Sequence, residues 1–349
     1  MVAEADRLPL AAAGSPNPRD RLAIAGIRLP VWRGIWFGLG LAAALALPFA
    51  VQSFTVFQMT QALIYAIAIL GLNLLTGFNG QFSLGHSAFY AIGAYTAAIL
   101  MNNWEVPYYW TLIPAGLICL VAGFLFGLPA LRLEGLYLAL ATFALATATP
   151  QLLKYSHFEA FTGGVQGLDV FKPDSPVAWL SNDQWYYFFT LGVLLVLFLC
   201  AWNLVRGRTG RAIIAIRDNP IAARAMGINT ALYKSLTFGV SALYTGIAGA
   251  LGAIVVEFVA PDSFTFILAV TFLVGGVVGG VTSIPGAIFG GFFVLLIPNL
   301  SEWVAGMTGR TDAKGLSWAV YGLFLILAVY IMPSGAAGFV RWLTAKLAR

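Results

Sequence analysis

The chain has 349 residues, of which 60% are hydrophobic and 9% charged, with 38 glycines and a formal charge of +5. A soluble domain of this size carries about 25% charged residues, and its helices need a charged outer face, so a water-surrounded enzyme or binding module is excluded. The basic residues flank apolar segments, as orientation by the positive-inside rule requires, and this disfavours nucleic acid as a partner.

Residues 1–33 contain Arg7, Arg19, Arg21, Arg28 and Arg33 and show no sustained helical periodicity. They read as a flexible cytoplasmic tail. The apolar segment that follows is long enough to span a bilayer, so no cleavage as a signal peptide is expected. From Arg33 to Glu105 there is no Asp, Glu, Lys or Arg, and charge-free windows recur at 106–131, 135–153, 184–205, 235–256, 263–301 and 315–340. A crossing needs roughly 20 mostly apolar residues. Dividing the windows at Gly, Pro and Asn turn signals predicts ten spans: 34–52, 56–76, 81–101, 108–130, 133–153, 186–205, 233–254, 264–281, 286–302 and 315–332.

The charges between spans support ten. With the N-terminus inside, segment 206–232 falls inside with Arg206, Arg208, Arg211, Arg217 and Arg224, as do Arg341, Lys346 and Arg349. Segment 154–185, with Glu159, Asp169, Asp174 and Asp183, falls outside. The expected organisation is a tail 1–33, a transmembrane domain 34–332 and a cytoplasmic tail 333–349, in an all-α polytopic helical membrane protein. Trp179, Trp185, Tyr186 and Tyr187 match an interfacial aromatic belt.

Polar residues inside the apolar windows are the first functional candidates. Asn73, Asn79, Gln81, Ser83 and His86 cluster around glycines at membrane depth, where polar groups find partners or line a wet cavity. Two roles stand open: shaping a translocation pathway, or bonding helices together. For His86 a packing role has the stronger claim, and no second histidine or paired carboxylate lies near it for a metal or proton relay. Glycine-rich stretches beginning at Gly77 and Gly275 share a short polar turn between apolar segments, from a duplicated half or from convergent use of glycine.

In the basic segment, Asn219 caps a short helix with Pro220 at its first position and Gly227 at its end. Ile221 and Ala225, and Ala222 and Met226, lie four apart and form a small apolar face suited to a groove on a partner. A loop that only sets topology explains the arginines but not the two caps. Thr162, Gly163 and Gly164 are candidates for contact with a delivery protein, or an ordinary turn. No phosphate-binding G-x-x-x-x-G-K-[ST] motif, nucleophile–base constellation or metal-ligand spacing is present, so the chain reads as no enzyme, and Cys119 and Cys200 imply neither disulfide nor metal.

The stretch GLNLLTGFNGQFSLGHSAFYAIGAYTAAIL resembles the signature of the permease family of branched-chain amino acid ABC importers, of the LivM type, through Asn73, Leu74, Gly77, Gly80, Gln81, Ser83, Gly85 and His86. The likeness continues through TGGVQGL, GRAIIAIRDNPIAARAMGIN and GGVVGGVTSIPGAIFGG. It implies an ABC-importer permease architecture in a bacterial inner membrane, with both termini cytoplasmic. The implied partners are two ABC ATPase subunits, a second homologous permease and a periplasmic substrate-binding protein. ATP and Mg belong to the ATPases, and no cofactor is expected in this chain. Ala222, Ala223 and Gly227 resemble the motif of the helix that seats on the ATPase, with Arg217, Asn219 and Met226 around them; Ile221 stands where many importers carry Glu. Related permeases for urea and short-chain amides share these signatures. A secondary transporter working without ATPases would need membrane-embedded charges, which the spans lack.

Overall fold

A computed structural model of the chain describes residues 21–24, 27–133, 135–306, 314–332, 335–336 and 338–339. These fall into two compact units, divided after Gln52. In the first, β1 (Arg21–Ile24) pairs antiparallel with β2 (Ile27–Pro30), and α1 (Val31–Ala50) follows directly. Part of the expected tail thus forms a hairpin; residues 1–20 and 340–349 lie outside the described residues.

The second unit is a helical bundle. Its elements in chain order are α2 (Ser53–Leu72), α3 (His86–Trp104), α4 (Tyr108–Ala130), α5 (Leu136–Leu153) and the short α6 (Glu159–Thr162). Then come β3 (Leu168–Asp169), α7 (Asn182–Arg206), α8 (Arg208–Asp218), α9 (Pro220–Ala225), α10 (Thr230–Val256) and β4 (Phe258–Val259). The chain closes with α11 (Phe266–Gly279), α12 (Gly286–Gly306) and α13 (Lys314–Ile331).

Each of the ten predicted spans coincides with one helix among α1–α5, α7 and α10–α13. Among the described residues, six helical stretches are long and apolar enough to cross a membrane: Ser53–Phe78, Tyr108–Ala130, Leu136–Leu153, Asn182–Arg206, Thr230–Val256 and Gly286–Val304. The protein is therefore an all-α polytopic membrane protein of about ten transmembrane helices. α11 is shorter than its predicted span; its 14 residues rise roughly 21 Å, less than the apolar core of a bilayer. The 3-10 turn Pro261–Phe264 precedes it and Gly280 ends it. The 3-10 turn, with Asp262 and Ser263 exposed, belongs to the acidic cap, whereas Gly280 is buried in the bundle, where irregular backbone is tolerated because protein encloses it.

Burial ranks the helices. The apolar windows of α2 and α10 are 78% buried, against 28–39% in the other four candidate spans. α10 packs against α2, α3 and α4, and α2 also against α7 and α12. Small residues permit this. A side chain at Gly93 would run into the Gly246 backbone, one at Gly249 into Tyr90, and one at Gly291 into Ala62. Lipid offers no hydrophobic drive for helices to associate, so close backbone approach and dispersion hold the centre together.

The acidic end is ordered. β3 pairs with β4 across nearly ninety residues of chain (Leu168 with Val259, Asp169 with Phe258). Lys172 bridges Asp183 at 3.1 Å and Glu257 at 3.4 Å, and Lys154 pairs with Asp262. Ser181 caps α7 in a capping box with Gln184. The hydrophilic segment 154–185 is thereby tied to the start of α11.

Candidate functional site

The family-like segment is a broken helix. α2 loosens into a π-helical turn at Asn73–Phe78, residues 80–85 run without helix, and α3 starts at His86. The backbone groups released by the break are taken up locally: Gln81 N–H donates to Leu75 O (3.2 Å), Thr76 Oγ1 to Gln81 O (3.2 Å), and Leu84 N–H to Thr142 Oγ1 (2.9 Å). Gly80 turns the chain with φ +73°, and a Cβ there would lie 2.8 Å from Cγ of Arg217.

The structure brings the five polar candidates together and buries all of them: Asn73, Asn79, Gln81, Ser83 and His86 are at most 5% exposed. Ser241 Oγ donates to Gly71 O at 2.6 Å and lies 2.7 Å from His86 Nε2. The serine proton is therefore committed to the carbonyl, so Nε2 carries the histidine proton and donates it to Ser241. His86 Nδ1 is then the acceptor for Ser83 Oγ at 3.2 Å. This chain of bonds starts on one helix break and ends on a backbone carbonyl, with no free end facing a cavity. Asn79 Nδ2 donates to Gln81 Oε1 at 2.7 Å. The His86–Ser241–Gly71 contacts join α3, α10 and α2, and the Asn79–Gln81 bond holds the break itself. The signals for Ser241 and Thr142 in the sequence were weak, since each is one of several hydroxyls in an apolar helix.

The second glycine-rich stretch repeats the device. α11 ends at Gly279, residues 280–285 form a tight turn, and α12 begins at Gly286. Ser283 Oγ accepts from Gly286 N–H at 3.2 Å, as Ser83 Oγ accepts from Gly85 N–H at 3.3 Å. The two breaks meet. Asn73 Nδ2 reaches Ser283 O at 3.4 Å, and Gly77 lies against the Val281 carbonyl so closely that only a hydrogen fits. Asn73 Oδ1 and Asn79 Oδ1 remain buried without a hydrogen-bond partner among the described residues.

Directly beneath this junction lies the basic segment. Arg217, near the end of α8, donates from Nη1 to Gly77 O at 3.0 Å while its Nε and Nη2 hold Asp218 at 2.9 and 2.8 Å. Asn219 caps α9, its Oδ1 accepting from Ile221 N–H (3.1 Å) and Ala222 N–H (3.0 Å). At the other end Gly227 adopts φ +82°, with Gly227 N–H donating to Arg224 O (2.9 Å) and Ile228 N–H to Ala223 O (3.0 Å). That pair of bonds is a Schellman cap. Ile221 and Met226 are 77% and 83% exposed, with Ala222 and Ala225 also exposed. Ala223 differs from its neighbours: it is 4% exposed and seats the helix on its own chain, because on a six-residue helix it falls opposite the 221, 222, 225 and 226 face.

At the acidic end Thr162 is buried, its Oγ1 donating to Leu153 O (2.8 Å) and Phe158 O (3.0 Å) and accepting from Gly164 N–H (3.3 Å). Gly163 and Gly164 both take positive φ, +68° and +55°. The three residues form a turn. Flanking it, Phe161 and Val165 are 56% and 67% exposed.

Residues 54–329 match the model of a family described as the branched-chain amino acid transport system permease component. The chain belongs to this family. Among curated family members, it is 34% identical over 312 residues to the high-affinity branched-chain amino acid transport system permease protein LivM of Salmonella typhimurium, covering 81% of this chain and 73% of that protein. LivM of Escherichia coli matches equally, and the permease protein LivH of Escherichia coli is 26% identical over 297 residues, covering 78% of this chain and 91% of LivH. Among solved structures, PsaBC from Streptococcus pneumoniae in complex with Fab aligns with a TM-score of 0.42 at 16% identity, over 88% of this chain and 99% of that one.

Proposed function

We propose that this family member is the membrane-spanning permease subunit of an ATP-driven, binding-protein-dependent importer of branched-chain amino acids. It sits in a bacterial inner membrane with both termini cytoplasmic. Two ABC ATPase subunits dock at the basic end, a second, homologous permease lies beside it, and a periplasmic binding protein delivers substrate to the acidic end. ATP and Mg are held by the ATPases, where hydrolysis takes place. The names of the LivM and LivH relatives support the substrate class.

The observation that carries this reading is α9: a six-residue helix capped at both ends, with its apolar side chains turned out to solvent. So short a helix is marginal in isolation, and rigid capping beside an exposed Ile and Met suits a part that bears force on a partner. Movement of α9 passes along α8 to Arg217, and from Arg217 to the Gly77 carbonyl, where the two helix breaks meet. ATP binding thereby rocks α2–α3 against α11–α12 and shifts the population between outward- and inward-open forms. At the other end, the turn of Thr162, Gly163 and Gly164 holds Phe161 and Val165 outward for the binding protein.

The test is Ile221→Asp combined with Met226→Asp. Both positions are exposed, so the fold is untouched, while a carboxylate in a docked apolar face costs a few kcal/mol. The double variant is expected to lose co-purification of the ATPase subunits and leucine uptake while keeping the unfolding temperature of the permease. Normal uptake would show that α9 is not the docking element.

A further inference from the structure

Burial of the Asn73–His86 network leaves open where substrate passes. On a different face of the bundle, α2, α11, α12 and α13 surround an open groove of about 510 Å³, within the size range of small-molecule sites. Gln58 and Gln61 stand on α2 and Asn299 on α12, all three lining this groove. By helical rise they lie roughly 8–12 Å from the acidic ends of their helices, in the outer half of the membrane. Among the described residues none of the three side chains has a hydrogen-bond partner, unlike the amides of Asn73, Asn79 and Gln81. Pro298, from the same lining, interrupts α12 one residue before Asn299.

Three carboxamides left facing hydrocarbon without partners are disfavoured, and such groups inside a membrane mark water-filled or substrate-bearing paths. A second large groove provides the contrast: between α4, α7 and α10 lies a cavity of about 620 Å³ whose lining, including Leu112, Phe189 and Val196, contains no polar side chain. That is a surface lipid tails can cover.

We propose that the α2–α11–α12–α13 groove is this chain's wall of the translocation pathway, with Gln58, Gln61 and Asn299 as a polar belt for a zwitterionic amino acid. The assignment rests on the importer reading above, and the second permease supplies the opposite wall. A carboxamide suits this cargo. Its oxygen accepts from an ammonium group and its NH₂ donates to a carboxylate, so neutral residues hold both ends of the zwitterion without a fixed charge. Phe57 and Val274, from the same lining, face the apolar side chain. Neutral partners bind weakly, and weak binding lets substrate leave.

The test uses the complete assembly in proteoliposomes, with Cys119 and Cys200 replaced by Ala and a single cysteine introduced as Gln61→Cys or Asn299→Cys. Gln58→Cys gives a third position should one of these fail to assemble. A charged methanethiosulfonate reagent added from the binding-protein side is expected to modify the groove cysteines. Each substitution by itself is expected to lower leucine uptake about tenfold, the scale of a lost hydrogen bond to a charged group, and the reagent, by obstructing the groove, to lower it further. Val196→Cys in the all-apolar groove is expected to resist that reagent and to react only with a lipid-soluble maleimide. Groove cysteines that behave like Val196→Cys, react with neither reagent, or react without slowing uptake would overturn the assignment. Failure of the unmodified assembly to import leucine would defeat the substrate reading instead, and charged labelling at 61 and 299 would still support an aqueous wall.

Discussion

His86 shows how a polar residue in a membrane helix acquires its role from its neighbours. Both ring nitrogens are engaged by serines, Ser83 and Ser241, and the imidazole packs edge-on against Phe89. Replacing it by Ala would open a cavity and leave two hydroxyls short of a partner, a loss of about 2–4 kcal/mol. The expected outcome for His86→Ala is a lowered unfolding temperature of the purified permease, with leucine uptake per folded complex little changed. A variant with normal thermal stability and abolished uptake would put His86 on the pathway. Ala223 teaches the same lesson in miniature. In the sequence it is one of two adjacent alanines matching a docking motif, yet it turns inward while Ala222 turns out.

At the scale of elements, the capped helix α9 and the paired breaks were legible to different degrees. Asn219, Pro220 and Gly227 act through bonds no more than five residues long, so the sequence alone predicts the helix from cap to cap. Because a Cβ at Gly227 would meet nothing within 4 Å, substitution there strains only the backbone. Gly227→Val should cost about 1–2 kcal/mol at a left-handed position and uncouple ATP hydrolysis from uptake, whereas Gly227→Asn, which tolerates that conformation, should stay close to wild type. The ratio of leucine transported to ATP hydrolysed measures both; equal ratios for the Val and Asn variants would dismiss the cap as a mechanical part. The breaks were legible only as glycine-rich stretches. That they meet through Asn73 and Ser283 is a contact between residues 210 apart in the chain, which no local pattern encodes.

For the whole molecule, the segregation of arginine implies ten spans with both termini on the basic side, and two exposed positions now test it. Met226 on α9 and Phe171 in the acidic cap are 83% and 80% exposed. Single cysteines at these two sites, without Cys119 and Cys200, are expected to react with an impermeant thiol reagent from opposite faces of the membrane. Reaction of both from one face would require an odd span to be added or removed between them.

The amino-acid sequence by itself determined the class, the positions of the apolar helices, the segregation of charge between them and the capped helix, because each depends on composition or on contacts within one or two helical turns. It also carried the family, through motifs distributed from Asn73 to the glycine-rich stretch around Gly286. Only the tertiary structure decided which way the polar side chains point. A helix that is apolar all round, such as α2 or α10, has no polar face to announce its orientation, so Asn73 and Gln61, twelve residues apart in the same run, look alike in the sequence. One is buried against Ser283 and the other opens on the groove that α2 shares with α11, α12 and α13, and the difference is set by how closely those helices approach α2 at each level, which no local pattern records.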